Sequence, residues 1–98
     1  MTPEILISRE ASADIAEAIG GFKAISPSLS ERFETELERV CSNIGDYPQM
    51  YPVVYKNFRR GLLRRFPYSV FYVVGKRFIL IVGVVHQSRD ESTWKRRA

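Results

Sequence analysis

The sequence predicts an α+β fold, with an N-terminal strand and a two-helix antiparallel hairpin packed on a mainly antiparallel twisted sheet. Three features of the chain predict it. Apolar residues recur at helical spacing through two consecutive segments before Pro48. From Pro52 onward the pattern changes to β-branched and aromatic runs separated by turn residues. At 98 residues there is room for one hydrophobic core and not for two, so residues 1–98 read as one domain ending in a basic tail at about 87–98.

Glu4-Ile5-Leu6-Ile7 is short, apolar and twice β-branched, which makes it the opening strand. Ser8 offers an N-cap, and Ala11, Ile15, Ala18, Ile19 and Phe22 then form one helical face. Gly20-Gly21 weakens that helix, whose end is expected near Lys23. Ser26-Pro27 starts a second helix, with serine as cap and proline at the first helical position, where its missing N–H costs nothing. Leu29, Phe33, Leu37, Val40, Cys41 and Ile44 make its apolar stripe, Glu31, Glu34, Glu36 and Glu38 lie off it, and Gly45 and Pro48 stop it.

Three strands are expected next, at Phe58–Phe66, Tyr68–Val74 and Arg77–His86, giving the order β-α-α-β-β-β. Pro67 divides the first two, and Gly75-Lys76 supplies a hairpin turn in which the glycine is free to take a positive φ. Phe78 to Val85 lacks polar alternation, so the last strand must lie centrally or have both faces covered. In the tail from Gln87 to Ala98, Trp94 is the one large apolar residue and is expected to dock through its indole while the rest stays solvated.

An apolar fraction of 45% places the chain among folded rather than disordered sequences. Cys41 is the only cysteine, so an intramolecular disulfide is impossible and a thiolate metal site lacks its other ligands. The Phe78–Val85 run is far shorter than a bilayer span, and no basic, apolar and cleavage-site pattern opens the chain. A cytoplasmic protein without membrane association is expected. Residues 1–50 hold four Lys/Arg against nine Asp/Glu, whereas residues 51–98 hold eleven against two. Such a field steers polyanions or acidic proteins to the basic half, although a solvated basic surface without a partner has the same composition.

Glycine-rich phosphate loops, paired-His metal motifs and nucleophile elbows are absent, so no cofactor or metal is expected. His86 stands where the apolar strand ends and reads either as a hydrogen-bonded structural residue or as a catalytic one. Arg59, Arg60, Arg64 and Arg65 fall on one expected strand, where alternation lets about half of them share a surface. They form either a patch for phosphates or carboxylates or a charged guard on a strand edge. Tyr55, Tyr68, Phe71 and Tyr72 interleave with them and can stack on bases; Phe71 is assigned to the core and Tyr72 is left open.

Leu62-Leu63-Arg64-Arg65-Phe66-Pro67-Tyr68-Ser69-Val70-Phe71-Tyr72, then an apolar strand, then Val84-Val85-His86-Gln87-Ser88-Arg89-Asp90 with Trp94 behind, resembles the RelE/ParE family of bacterial toxins from type II toxin–antitoxin modules. The segments Ser8 to Ile19, Ser26 to Phe33 and Tyr47-Pro48-Gln49-Met50 are similar to its helix starts and inter-element turn, so the likeness covers nearly the whole chain. It implies a cognate antitoxin whose acidic segment folds on the toxin, and operator DNA reached only through that antitoxin. It also implies one of two targets.

Ribosome-dependent mRNA endonucleases of the family need an acid, a base and cations. Here His86, Arg64, Arg65, Arg89 and Tyr72 would fill those roles, but the lysine-rich centre is missing. The Phe-Pro-Tyr strand and the His-x-x-Arg-Asp ending with its tryptophan look more like the ParE branch, which binds DNA gyrase without catalysing a reaction. On that resemblance Arg59, Arg60, Arg64, Arg65, Arg89, Trp94, Lys95 and Arg96 are the expected contacts for target or antitoxin. A member that is not toxic and acts only in an antitoxin–operator complex is the third reading.

Overall fold

Two serines set the helical half of the chain. The Ser8 hydroxyl accepts the Ala11 N–H (3.1 Å) and starts α1, Arg9–Ile25. Ser26 ends α1 by donating its N–H to Phe22 O (2.9 Å) and starts α2, Pro27–Asp46, by accepting the Leu29 N–H (3.1 Å). A single residue thus joins the two helices, and α1 runs through Gly20-Gly21 to Ile25 rather than ending near Lys23. Likewise α2 passes the buried Gly45 before Tyr47 closes it.

The computed structural model describes residues 3–98. Besides the helices it contains β1 (Glu4–Ile7), β2 (Val53–Tyr55), β3 (Phe58–Leu62), β4 (Tyr68–Val74), β5 (Phe78–His86) and a short α3 (Ser92–Lys95). The five strands lie in the order β1-β5-β4-β3-β2, with β1 parallel to β5 and every other pair antiparallel. The fold is therefore α+β, as the pattern of periodicities predicts.

β5 is an interior strand with both faces covered. On one face α1 and α2 bring Ala11, Ala18, Phe33, Leu37, Val40 and Ile44 against Val70, Tyr72, Ile79, Ile81 and Val84. On the other face Trp94 of α3 lies over Phe58, Phe71, Val82 and Val85, its indole stacked on Phe71 at 4.1 Å and 19°. A β-bulge reconciles the two surfaces. Phe71 pairs with Gly83 and Tyr72 with Ile81, so Val82 is the extra residue that keeps Val84 on the helix side.

The edges of β5 are covered as fully as its faces. β4 runs along one edge, while β1 pairs only with Phe78–Ile81 on the other, and the Ser8 N–H closes on Ile81 O (2.9 Å). Beyond that point two side chains replace a strand. Asp14 of α1 accepts the Val84 N–H (3.0 Å), Arg97 donates to Val82 O (3.0 Å), and the two pair with each other at 2.7 and 3.2 Å. Gly83 makes this possible, because a Cβ there would stand 3.0 Å from Arg97 Nη1.

Four expectations are corrected by this arrangement. A fifth strand, β2, precedes the three expected, turning into β3 through Lys56-Asn57 with Lys56 at φ 50°. The strand expected over Phe58–Phe66 ends at Leu62, because the Arg64 N–H is taken by a Glu36 carboxylate oxygen (2.7 Å) and Arg65 turns to φ 67°. Gly75 has no positive φ; it is needed because a Cβ would come within 2.9 Å of Phe78 O, the acceptor of its own N–H. The tail is also more anchored than expected, by Arg97 as well as by Trp94. Among the described residues no helix is long and apolar enough to cross a membrane.

If the Asp14–Arg97 pair stands in for a strand, Asp14→Ala and Arg97→Ala each lose about 2 kcal/mol of stability in urea titrations. The double variant then loses less than the sum, with a coupling of about 1 kcal/mol or more; strictly additive losses would show that the two act separately.

Candidate functional site

The end of the sheet where β3 finishes, β4 starts and β5 finishes carries most of the chemistry-bearing side chains. Backbone bonds tie its segments together: the Leu63 N–H donates to Tyr68 O (3.1 Å) and the Gln87 N–H to Pro67 O (2.7 Å). Two large clefts flank this end. One, of about 450 Å³, lies between α1 and the end of β5, where Glu17, Phe22, Tyr68, His86 and Arg89 line it. The other, of about 610 Å³, lies between α2 and the Leu63–Pro67 bend, where Arg32, Arg39, Arg64, Arg65 and Phe66 line it. A smaller hollow of about 100 Å³ opens on the opposite face of the sheet beside Arg60, Arg89 and Trp94.

In the first cleft the His86 ring meets Tyr68 edge to face, with centroids 5.1 Å apart. His86 Nδ1 accepts the Ser88 N–H at 3.0 Å. A neutral ring that accepts this bond carries its proton on Nε2. Burial pushes the Tyr68 phenol upward, with the Glu17 carboxylate adding to the effect and Arg89 opposing it.

Glu36 organises the second cleft. Its carboxylate receives Arg39 through Nε (3.1 Å) and Nη2 (2.6 Å) and also the Arg64 backbone N–H. The Arg39 hydrogen bond is the main reason the Glu36 carboxyl lies below the ordinary carboxylate range; burial opposes it. Pinned this way, the bend holds Arg65 in left-handed backbone, which costs a non-glycine residue about 1–2 kcal/mol. Arg32, Arg64 and Arg65 form no ion pair among the described residues.

A family model described as the ParE toxin of type II toxin–antitoxin systems, parDE, matches residues 5–91. The chain belongs to the ParE toxin family. No curated protein matches it in sequence. A solved chain from the chromosomal ParDE toxin–antitoxin system of P. aeruginosa superposes with a TM-score of 0.76, covering 87% of this chain and 96% of that one at 17% identity. At that identity the likeness is one of fold.

Within this ParE-family chain the residues singled out from sequence fall into three groups. Some are structural in their surroundings. Tyr72 is fully buried with its hydroxyl donating to Pro48 O (2.7 Å), and Arg59 donates to Gln49 O (3.2 Å) and Tyr51 O (2.7 Å), so both hold the Tyr47–Tyr51 turn to the sheet. Trp94 faces inward at 6% exposure, and Lys95 pairs with Glu91 (2.7 Å) while lying 5.0 Å over the Tyr55 ring. A second group, His86 and Arg89, lines the α1 cleft, with Arg60 across the smaller hollow. The third, Arg64 and Arg65, opens on the α2 cleft, and Arg96 is exposed on the tail.

The sequence pattern puts Arg59, Arg60, Arg64 and Arg65 on one strand, but only Arg59 and Arg60 lie in β3, and they face opposite sides of the sheet. The pattern does not point to Arg32 or Arg39; for Arg39 the available signal is the Glu36-x-x-Arg39 spacing on α2. Among the described residues no three His, Cys, Asp or Glu side chains are placed to share a metal ion.

Because folding depresses the Glu36 carboxyl's pKa, the pair favours the folded state above the ordinary carboxylate range, and the gain is lost as pH falls through the folded value. Glu36→Gln should therefore melt below the unsubstituted chain at pH 7, with the difference shrinking as pH is lowered through about 4. A pH-independent difference would mean that the carboxylate acts through its shape alone.

Proposed function

We propose that this ParE-family chain is the toxin of a type II pair, that it inhibits DNA gyrase in the cytoplasm by binding rather than by catalysis, and that a cognate antitoxin with an acidic, fold-on-binding segment neutralises it. The dispersal of the groups a nuclease would need is the observation that carries the reading. Tyr72 is sealed in the core, and Arg64 and Arg65 open on a different cleft from His86 and Arg89. General acid–base chemistry on a ribose hydroxyl needs those groups within hydrogen-bond reach of one phosphodiester. Binding has no such requirement.

Two features support an antitoxin partner of the stated kind. Exposed cations predominate in residues 51–98, which suits an acidic segment. Apolar side chains at the far end of β4, among them Tyr47, Met50 and Val74, stand exposed around a hollow of about 610 Å³ that an apolar face of the same segment can cover. A chain that orders only on binding can reach both surfaces at once.

Purified protein incubated with gyrase and supercoiled plasmid should accumulate linear, cleaved DNA, and His86→Ala should leave that accumulation within about threefold, since imidazole catalysis typically contributes 10²–10⁴-fold where it operates. If the plasmid stays uncut with an active gyrase from the source organism, while translating ribosomes lose mRNA in a His86-dependent way, the chain is a nuclease.

A further inference from the structure

We propose that the cleft between α2 and the Leu63–Pro67 bend binds a short single-stranded segment of nucleic acid, with its phosphates on Arg32, Arg64 and Arg65 and a base against Phe66. Four arginines and two glutamates, Glu31 and Glu36, line this cleft, and Glu36 pairs with the side chain of only one of the arginines, Arg39. Planar guanidinium forks suit phosphate oxygens, and the Ser28 and Thr35 hydroxyls at the same cleft add further donors.

The remaining features point to a nucleotide rather than a bare anion. Phe66 is half-buried and held edge to face by Phe22 (5.2 Å, 73°) and Phe33 (5.5 Å, 78°), so it presents a fixed aromatic wall to the cleft. Stacking on aromatic side chains is the sequence-tolerant way in which single strands are held. A cleft of about 610 Å³ lies within the ordinary range for ligands of nucleotide size.

The surroundings limit the length and stiffness of the occupant. Glu31, Glu34 and Glu38 are exposed on α2, and a duplex laid along that helix would bring its phosphates against them. A flexible strand can instead turn into the cleft with one or two phosphates, where Glu31 is the one exposed carboxylate of α2 at the wall and Glu34 and Glu38 lie outside the lining. Arg65 adds a second indication, because its left-handed backbone is a conformation that glycine adopts without strain.

The test uses the purified full chain alone, so its failure is separable from failure of the gyrase reading. Fluorescence anisotropy with a labelled oligothymidylate of about eight nucleotides should show binding at low salt, with log K falling by about 0.7 per decade of salt for each phosphate held. Arg65→Gly should weaken binding about tenfold while leaving the melting temperature equal or higher, since the backbone strain is relieved. Arg32→Ala should weaken it similarly, and Lys76→Ala, at the opposite end of the sheet, should not. Equal losses in all three variants would overturn the site in favour of diffuse charge attraction. Displacement of the strand by polyglutamate at lower concentration than by unlabelled oligothymidylate would overturn it in favour of an acidic peptide. Tighter binding of duplex than of single strand would also overturn it.

Discussion

β5 has no polar face, and the rest of the molecule is arranged to keep it from water. A strand that is apolar from Phe78 to Val85 needs cover on two faces and two edges, because a buried N–H or C=O left without a partner costs about 1–3 kcal/mol. The helices cover one face and Trp94 the other, while β4 takes one edge and β1 the first half of the second. Asp14 and Arg97, 83 residues apart, complete that second edge at Val82 O and Val84 N. Hence the tail after His86 belongs to the sheet's own structure, and both the bulge at Val82 and the missing side chain at Gly83 follow from the same demand.

The features of this fold that were legible in the sequence are those set by local pattern. Ser26-Pro27 announces a helix start whatever the tertiary context, and the two helical stripes and the unalternating β5 declare what must be buried. What escaped depends on contacts between distant residues. Nothing near Arg64 in sequence shows that its N–H will meet Glu36 and leave the strand. Nothing near Arg97 shows that Asp14 awaits it. β2 is the exception, since Val53-Val54-Tyr55 before Lys56-Asn57 is a local strand-and-turn signal, and at three residues it is shorter than strand patterns usually require. The site suffered most, because four arginines counted as one strand pattern are divided by the bend at Leu63 into groups with different surroundings.

Charge counted along the chain also overstates what a partner meets. Of the cations in residues 51–98, Arg59 is turned onto backbone carbonyls, Arg97 onto Asp14 and Lys95 onto Glu91. Those that remain open at the β3–β4–β5 end of the sheet are Arg60, Arg64, Arg65 and Arg89; Arg64 and Arg65 open on the α2 cleft, while Arg89 lines the α1 cleft and shares the smaller hollow with Arg60. A single fold can carry such groups for contact or bring them together for catalysis, so the spacing of the side chains says more about activity than the fold does.

The tail shows why surface and stability are hard to separate in so small a molecule. Removing Trp94 would cost about 3–5 kcal/mol by the usual measure for a buried aromatic, and removing Arg97 would expose a strand edge, so lost activity in either variant would not distinguish contact from folding. Arg65 is the opposite case. Its backbone conformation works against stability, its side chain has no ion-pair partner among the described residues, and the bend that carries it is held from below by Glu36. Removing that side chain breaks no ion pair and relieves a costly backbone conformation, so at Arg65 an effect on contact can be read apart from an effect on folding.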